Sequence, residues 1–288
     1  MTFHCIAFPV QIQTVNFLRA ACIKRKIDFN LINPAAVDYT NTSNIPMAGD
    51  ILYRAPTVQS NSKDAGVVEG FLLHDQVTTF YHSYQRALCR FVSSFVVHQK
   101  ANLPIPKTIP RLSCNRKLLK KYVDYVGGFP VIIKATGGSH GIGVMKVDSM
   151  ESLFSIVDYL HQSHQHIIMR QFIDVATSAR LIVLGNQIVS SIEYAAPDDD
   201  FRSNVGIFPI VKAKEFPPEI QKLAIEATQL LGVDFGGVDI LIDNESKPFI
   251  TEVNFPCNFA RAQKTTGIDI AGLMVDFLVQ KSKRSTGD

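Results

Sequence analysis

Hydrophobic and polar positions along the chain switch between a strand period and a helix period, and the switches mark out the elements. Phe3 to Pro9 is an apolar, strand-like run. Behind it Val15, Leu18, Ala21 and Cys22 recur at three- and four-residue spacing, which predicts a helix. Asp28 to Ile32 reads as a second strand and Asp50 to Tyr53 as a third, with the polar, proline-bearing loop Asn41 to Ala48 between them. This order predicts a small α/β lobe with a partly parallel sheet. Val67 to Leu73 and Gln76 to Phe91 read as helical and close the lobe near residue 90.

Leu103-Pro104-Ile105-Pro106 holds the chain extended and reads as a linker. Arg116 to Val126 then reads as a helix stopped by Gly127-Gly128, and Phe129 to Lys134 as a strand rich in β-branched residues. Val144 to Val147 resumes a strand, Glu151 to Leu160 is an amphipathic helix, and Ile167 to Ile173 and Arg180 to Leu184 are strands. Gly185-Asn186 turns the chain into Gln187 to Tyr194. Pro217 to Leu231 is a helix opened by prolines and closed by Gly232. Two strands follow, joined by a turn at Asp243-Asn244-Glu245, and Ile268 to Val279 ends the pattern as a helix. No internal repeat or low-complexity tract is present, and the fold class expected is a multi-lobe α/β and α+β protein.

Composition narrows the partners. A chain of 288 residues is long enough for two or three lobes with cores, and 19% charged with 46% hydrophobic residues is a globular balance. A net charge of +3 does not argue for nucleic acid, and no basic stripe interleaves with aromatics. Lys281 to Arg284 reads as a solvated end. Five scattered cysteines without Cys-x-x-Cys spacing exclude a disulfide framework and structural zinc, so free thiols in a cytoplasmic setting are expected. No signal peptide is read, and no apolar run reaches the roughly 18 residues of a membrane helix.

The chemistry concentrates late in the chain. In Gly237-Val238-Asp239-Ile240-Leu241 an aspartate ends one apolar run, and in Glu252-Val253-Asn254 a Glu-x-Asn ends the next. If these strands pair as a hairpin, Asp239, Glu252 and Asn254 converge as hard oxygen ligands suited to Mg²⁺ on nucleotide phosphates. The plain alternative is that Asp and Asn merely end strands. Upstream, Gly137-Gly138-Ser139-His140-Gly141-Ile142-Gly143 places four glycines in seven residues between two strands. Such a backbone can approach phosphate oxygens, although the spacing is neither a Rossmann nor a Walker fingerprint, and a plain hairpin is the alternative. Lys134 stands just before it and can reach a phosphate as a point charge; otherwise it is a surface lysine. In Asp198-Asp199-Asp200-Phe201-Arg202-Ser203-Asn204, Arg202 offers a fork for phosphate or carboxylate, or else a surface ion pair. His161, His164 and His166 sit amid polar residues and read as bystanders, as does Cys257, which has no paired base. Taken together these features read as a Mg·ATP site.

From about Leu103 to Val279 the pattern resembles the ATP-grasp superfamily, and within it the RimK-type carboxylate–amine ligases, which add glutamate or similar amino acids to peptide or protein ends. The resemblance is carried by Gly141-Ile142-Gly143-Val144, Asp200 to Asn204, Gly237 to Leu241, Glu252-Val253-Asn254 and Thr265 to Gly272. It implies an N-terminal α/β (pre-ATP-grasp) lobe over 1–95, a small lid subdomain over 96–175 and a C-terminal subdomain with the metal site over 176–288. It implies ATP with Mg²⁺ (or Mn²⁺), held by Lys134, by the loop Gly137, Gly138, Ser139, Gly141, Ile142 and Gly143, and by the hinge Gln171, Phe172 and Ile173. Arg202, Ser203 and Asn204 would line the phosphate and acyl site, Asp239, Glu252 and Asn254 would hold the metal, and Arg202 and Arg180 would stabilise developing charge. The reaction implied joins an acid to an amine through an acyl phosphate, and family expectation is a homo-oligomer, a dimer or tetramer.

Several positions depart from the family pattern. Its Asp-Lys pair before the linker falls at Arg90 and Phe91, its hinge glutamate at Gln171 and its ribose-side aspartate near Ser178. Val205 to Pro209 replaces Arg-Gly-Gly, and Phe255-Pro256-Cys257-Asn258 stands where Ser-Pro-Gly is expected. The metal ligands and Lys134 are intact, so Mg·ATP binding is the expectation least affected. The acceptor side is altered most, which predicts an amino acid, peptide or protein substrate other than the ribosomal-protein type. Two other readings stay open: a nucleotide-binding module that has lost ligation, and a phosphotransferase on the same fold.

Overall fold

The computed structural model describes residues 1–8, 12–40, 46–57, 59–88, 93–135, 141–195, 200–202 and 210–286. The chain begins with β1 (Thr2–Ile6), α1 (Ile12–Lys24), β2 (Asp28–Ile32) and β3 (Ile51–Arg54). Both strand pairs are parallel, in the order β2-β1-β3, as expected for an α/β lobe. Helices α2 (Gln59–Leu72), α3 (Tyr84–Leu88) and α4 (Ser94–Lys100) follow. The expected helix from Gln76 to Phe91 is corrected: only α3 is helical among its described residues. Thr78 bridges to Ile51 of β3, and Tyr81 to Val233, because β-branched and aromatic residues here pair with extended backbone instead of coiling.

The middle section is a second, antiparallel sheet. Its strands are β4 (Thr108–Ile109), β5 (Val131–Ala135), β6 (Val144–Val147) and β7 (Ile167–Gln171), in the order β4-β7-β5-β6. Helices α5 (Arg116–Val126) and α6 (Met150–Gln162) cover one face. Asn115 caps α5 by accepting from the Lys117 and Leu118 amides, and Gly127 ends it at φ +104°, a left-handed conformation that suits glycine. Leu119, Val123, Leu153 and Val157 interlock with Val131, Ile133 and Met169 in a core of their own.

The third sheet comprises β8 (Val175–Leu184), β9 (Gln187–Tyr194), β10 (Val211–Ala213), β11 (Phe235–Asp243) and β12 (Pro248–Asn254), all antiparallel, in the order β10-β9-β8-β11-β12. Helix α7 (Pro218–Leu230) precedes β11, and α8 (Ala260–Thr266) and α9 (Ile270–Thr286) end the chain. The pattern near Ile268 predicts one helix there; α8 is an additional short one.

Strand alternation divides this sheet's labour. Leu181, Val183, Val238 and Ile240 turn to α7. On the opposite face Ile182, Leu184, Ile192 and Phe235 join Phe3, Cys5, Ile51 and Phe80 of the N-terminal lobe, with Met274 and Leu278 of α9, in one continuous core. Tyr194 is the last side chain of that core, and further along the same face stand Ser178, Arg180, Asp239 and Leu241.

Candidate functional site

A cleft of about 180 Å³ opens between the middle sheet and the third sheet. Ile132, Lys134 and Val144 form its roof, Gln171 to Ile173 its closed end, and Ser178, Tyr194, Asp239, Leu241, Thr251 and Glu252 its floor. Gly141, Phe201 and Arg202 stand at its rim.

The floor is organised by register. Asp239 pairs with Arg180 on one side and with Glu252 on the other, so three adjacent strands place arginine, aspartate and glutamate on one rung. Asp239 stands in the interior of β11 and not at a strand end as expected, because Ile240, Leu241 and Ile242 continue the ladder to the turn at Asp243. The β11–β12 register shifts just beyond Asp239, which leaves Thr251 as an extra residue on β12. A bulge of this kind re-aims side chains. Thr251 and Glu252, though consecutive, both line the cleft.

Arg180 forks onto Asp239, with Nε–Oδ1 at 2.7 Å and Nη2–Oδ2 at 2.6 Å. Burial opposes the guanidinium charge, but the Asp239 carboxylate outweighs it and holds the Arg180 pKa well above its ordinary range. The Asn254 amide donates to Asp239 Oδ2 at 3.0 Å and, more weakly, to the Gly237 carbonyl at 3.4 Å. Its carbonyl oxygen is thereby left for another partner. Glu252 makes no hydrogen bond or ion pair among the described residues. Two carboxylates and an amide oxygen are a hard donor set, incomplete by itself, of the kind Mg²⁺ accepts when waters and phosphate oxygens supply the rest. The residues present therefore fit that metal. Among the described residues no group of three His, Cys, Asp or Glu could hold a metal by itself. His166 instead meets the Pro110 carbonyl at 2.8 Å.

Above the floor, Lys134 lies on the cleft face of β5 with Val144 and Ile168 as cross-strand neighbours and no ion pair among the described residues. Strands β5 and β6 pair antiparallel, and Gly141 to Gly143 lead into β6. Gly141 and Gly143 have φ of +75° and +81°, and Gly143 lies so close to the Ala135 carbonyl that a Cβ would sit 3.3 Å from it. Ile142 is 68% exposed. Gly137, Gly138 and Ser139 lie outside the described residues, as do Ser203, Asn204, Arg90 and Phe91.

Arg202 joins the rim together. Its guanidinium forks onto Asp200, at 2.9 Å and 2.7 Å, and donates from Nη1 to the Gly141 carbonyl at 2.9 Å. Hydrogen bonding to Asp200 raises its pKa. At the closed end, the Gln171 amide donates to the Lys107 carbonyl at 2.9 Å, and the Lys107 amide to Gln171 Oε1 at 3.3 Å. The Lys146 ammonium lies 4.5 Å from the Phe172 ring centroid.

Among the polar residues that line the cleft, sequence reasoning missed Arg170, Tyr194 and Thr251. Arg170 reaches from β7 to the Thr251 carbonyl at 3.1 Å, with its Nε buried and unpaired. Burial lowers its pKa and the nearby Glu252 charge opposes that. A lone cation inside the apolar run Ile167-Ile168-Met169 was a readable signal. Tyr194 is 7% exposed, and its phenol pKa is raised by burial against the Arg180 charge. Thr251 enters only through the bulge. Cys257 is buried with its thiol pushed up to about 12 by burial, which suits packing and not nucleophilic chemistry.

A glycine hairpin over a strand floor carrying Asp, Glu and Asn defines the class: the fold is that of the ATP-grasp proteins. The chain belongs to the RimK-like ATP-grasp domain family, whose model matches residues 91–278. It is 36% identical over 158 residues to a probable alpha-L-glutamate ligase of Enterobacter sp., covering 54% of this chain and 52% of that protein. It is 34% identical over 158 residues to a ribosomal protein bS6–L-glutamate ligase of Escherichia coli, with 54% and 52% covered. The chain thus spans about half the length of the curated relatives it matches. Among solved structures it is similar in fold to the ATP-grasp ligase PsnB complexed with a phosphomimetic variant of minimal precursor, Mg and ADP. That match has a TM-score of 0.71 at 16% identity and covers 98% of each chain. The likeness includes the N-terminal lobe. No helix among the described residues is long and apolar enough to cross a membrane.

Proposed function

We propose that this protein is an ATP- and Mg²⁺-dependent carboxylate–amine ligase that forms an amide bond on an amino acid, peptide or protein end. The observation that carries the reading is the Arg180–Asp239–Glu252 rung, with the Asn254 amide on Asp239, set beneath Lys134 and the glycine hairpin in one cleft. The names of the relatives favour L-glutamate as one of the two reactants. The altered Phe255-Pro256-Cys257-Asn258 segment favours a partner for it other than the ribosomal-protein end.

In this reading Asp239, Glu252 and Asn254 hold Mg²⁺, which when bound supplies positive charge to the phosphate oxygens. The substrate carboxylate attacks the γ-phosphorus of ATP, forming an acyl phosphate and releasing ADP. The amine then attacks the acyl carbon, phosphate leaves, and the ammonium proton passes to solvent or a nearby base. Arg180 holds the Asp239 carboxylate in orientation through its two-pronged hydrogen bond. Lys134 neutralises phosphate charge from the roof. Arg202 sits where charge grows on the transferring group, and such preorganised donors are a major source of rate in enzymes of this kind. Arg202 also holds the Gly141 carbonyl, so the hairpin closes over the phosphates and excludes water that would hydrolyse the acyl phosphate. The lobes 1–95, 96–175 and 176–288 act here as base, lid and floor.

The test is calorimetric titration of ATP with and without Mg²⁺, on the wild type and on Glu252→Ala. Mg-dependent binding that Glu252→Ala weakens is expected. Absence of ATP binding to the wild type at millimolar concentration sinks the proposal and favours a nucleotide-free binding module.

A further inference from the structure

Outside the cleft, the strongest unexplained feature is the charge on the outer face of the middle sheet's helical layer. Residues 107–121 contain Lys107, Arg111, Arg116, Lys117, Lys120 and Lys121, and no acid. These six positive charges exceed the whole-chain net of +3, leaving the rest of the chain at −3. All six residues are exposed. Lys117, Lys120 and Lys121 make no ion pair among the described residues, whereas Arg116 is fixed by Asp158 and lies 4.2 Å from the Phe154 ring centroid.

Local stability does not explain this arrangement. Arg116 and Lys117 occupy the first turn of α5, where the helix dipole disfavours cations, and that turn contains no acid. Arg116 and Lys120, and Lys117 and Lys121, are like-charge pairs four residues apart, which repel on a helix surface. The buried face of α5 is conventional, with Leu119, Val123 and Val126 in the core. Only its solvent face breaks the rules, and local violations of that kind mark functional surfaces.

We propose that this face of α5, with Lys107 and Arg111, is a docking surface for an acidic peptide segment, rich in Glu or Asp carboxylates. Charge complementarity identifies the occupant: the cations of the first two turns of α5, with Lys107 and Arg111 ahead of them in the chain, match successive carboxylates, with the exposed Leu118 and Tyr125 providing apolar contact. The choice of a peptide rests on the ligase reading, in which a glutamate-bearing chain is substrate or product. Nucleic acid fits less well, because the one exposed aromatic of α5, Tyr125, already lies 5.8 Å from the Lys107 ammonium and no stacking platform accompanies it. Lys107 also ties the patch to the cleft, since its backbone pairs with Gln171 at the closed end. An extended segment of roughly six residues spans about 20 Å, and a substrate held on this surface would reach toward the cleft along Lys107 and Gln171.

The experiment uses the full chain and fluorescence anisotropy with three labelled probes: oligo-L-glutamate, oligo-glutamine of equal length, and a single-stranded RNA. The variant is Lys117→Glu/Lys120→Glu/Lys121→Glu, which touches no residue of the cleft. Oligo-glutamate is expected to bind the wild type, more weakly as salt rises, and to lose roughly tenfold or more in affinity on the variant. Oligo-glutamine is expected not to bind. The variant's thermal midpoint should be unchanged or higher, because Lys117→Glu relieves the dipole conflict. No binding of oligo-glutamate, equal binding to the variant, or tighter binding of RNA overturns the proposal. Mg·ATP titration of both proteins separates the two readings. Oligo-glutamate binding without Mg·ATP binding removes the ligase and keeps the surface; the converse keeps the ligase and removes the surface.

Discussion

Arg180 and Asp239 are joined by a two-pronged ion pair across adjacent strands, at 2.7 Å and 2.6 Å, with both side chains largely withdrawn from water. Removing one partner leaves the other as an uncompensated charge, which in buried pairs costs on the order of 3–5 kcal/mol. Arg180→Ala is therefore expected to lower stability substantially. Since the same carboxylate belongs to the proposed metal set, Mg²⁺ should restore part of the loss. The check is a thermal midpoint measured with and without Mg²⁺. An increase no larger in Arg180→Ala than in the wild type speaks against Asp239 as a metal ligand.

Arg202 links two otherwise separate segments, because one guanidinium binds both Asp200 and the Gly141 carbonyl. Arg202→Met should free the glycine hairpin while leaving the sheets intact. Hydrogen exchange at Gly141 to Val144 is expected to accelerate, while global stability changes by less than about 1 kcal/mol. Unchanged exchange there means that the hairpin is held by other contacts.

Gly237 sits against Cys257 so closely that an added Cβ would overlap the thiol sulfur. Gly237→Ala should cost roughly 1–3 kcal/mol by overpacking, and Cys257→Ala in the same chain should recover most of it. A double-mutant denaturation cycle measures the coupling. Additive losses would contradict the contact.

His98 is 1% exposed, and its Nε2 lies 2.9 Å from the Ala227 carbonyl. Burial pulls its pKa below the ordinary 6.5, partly opposed by that carbonyl. The unfolded chain therefore takes up this proton first. The stability contributed is complete above pH 6.5 and is lost as pH falls below it toward the folded-state pKa. As pH falls below 6.5, chemical denaturation of the wild type should show a steeper fall in stability than His98→Gln. Equal slopes would assign the acid sensitivity elsewhere.

Much of this molecule was legible from residue order. The end of α5 follows from the Gly127-Gly128 stop, and β9 from the Gly185-Asn186 turn before it, because local propensity and turn chemistry act over a few residues. The candidate oxygen ligands Asp239, Glu252 and Asn254 were visible as residue types at strand spacing. The segment from Gln76 onward was not legible. Its apolar spacing suits a helix, but Thr78 and Tyr81 find bridge partners far away in sequence, and long-range pairing overrides propensity.

The sequence by itself determined most element types, the family pattern and the acidic and glycine-rich parts of the cleft, since these depend on composition and short-range periodicity. Only the tertiary structure decided the register. Register places Arg180, Asp239 and Glu252 on one rung and lets the bulge at Thr251 turn two consecutive residues to the same cleft. It also sets Arg170 and Tyr194 facing that cleft. A shift of one residue would send each side chain to the other face, and nothing within a single strand states which residue of another strand it will meet.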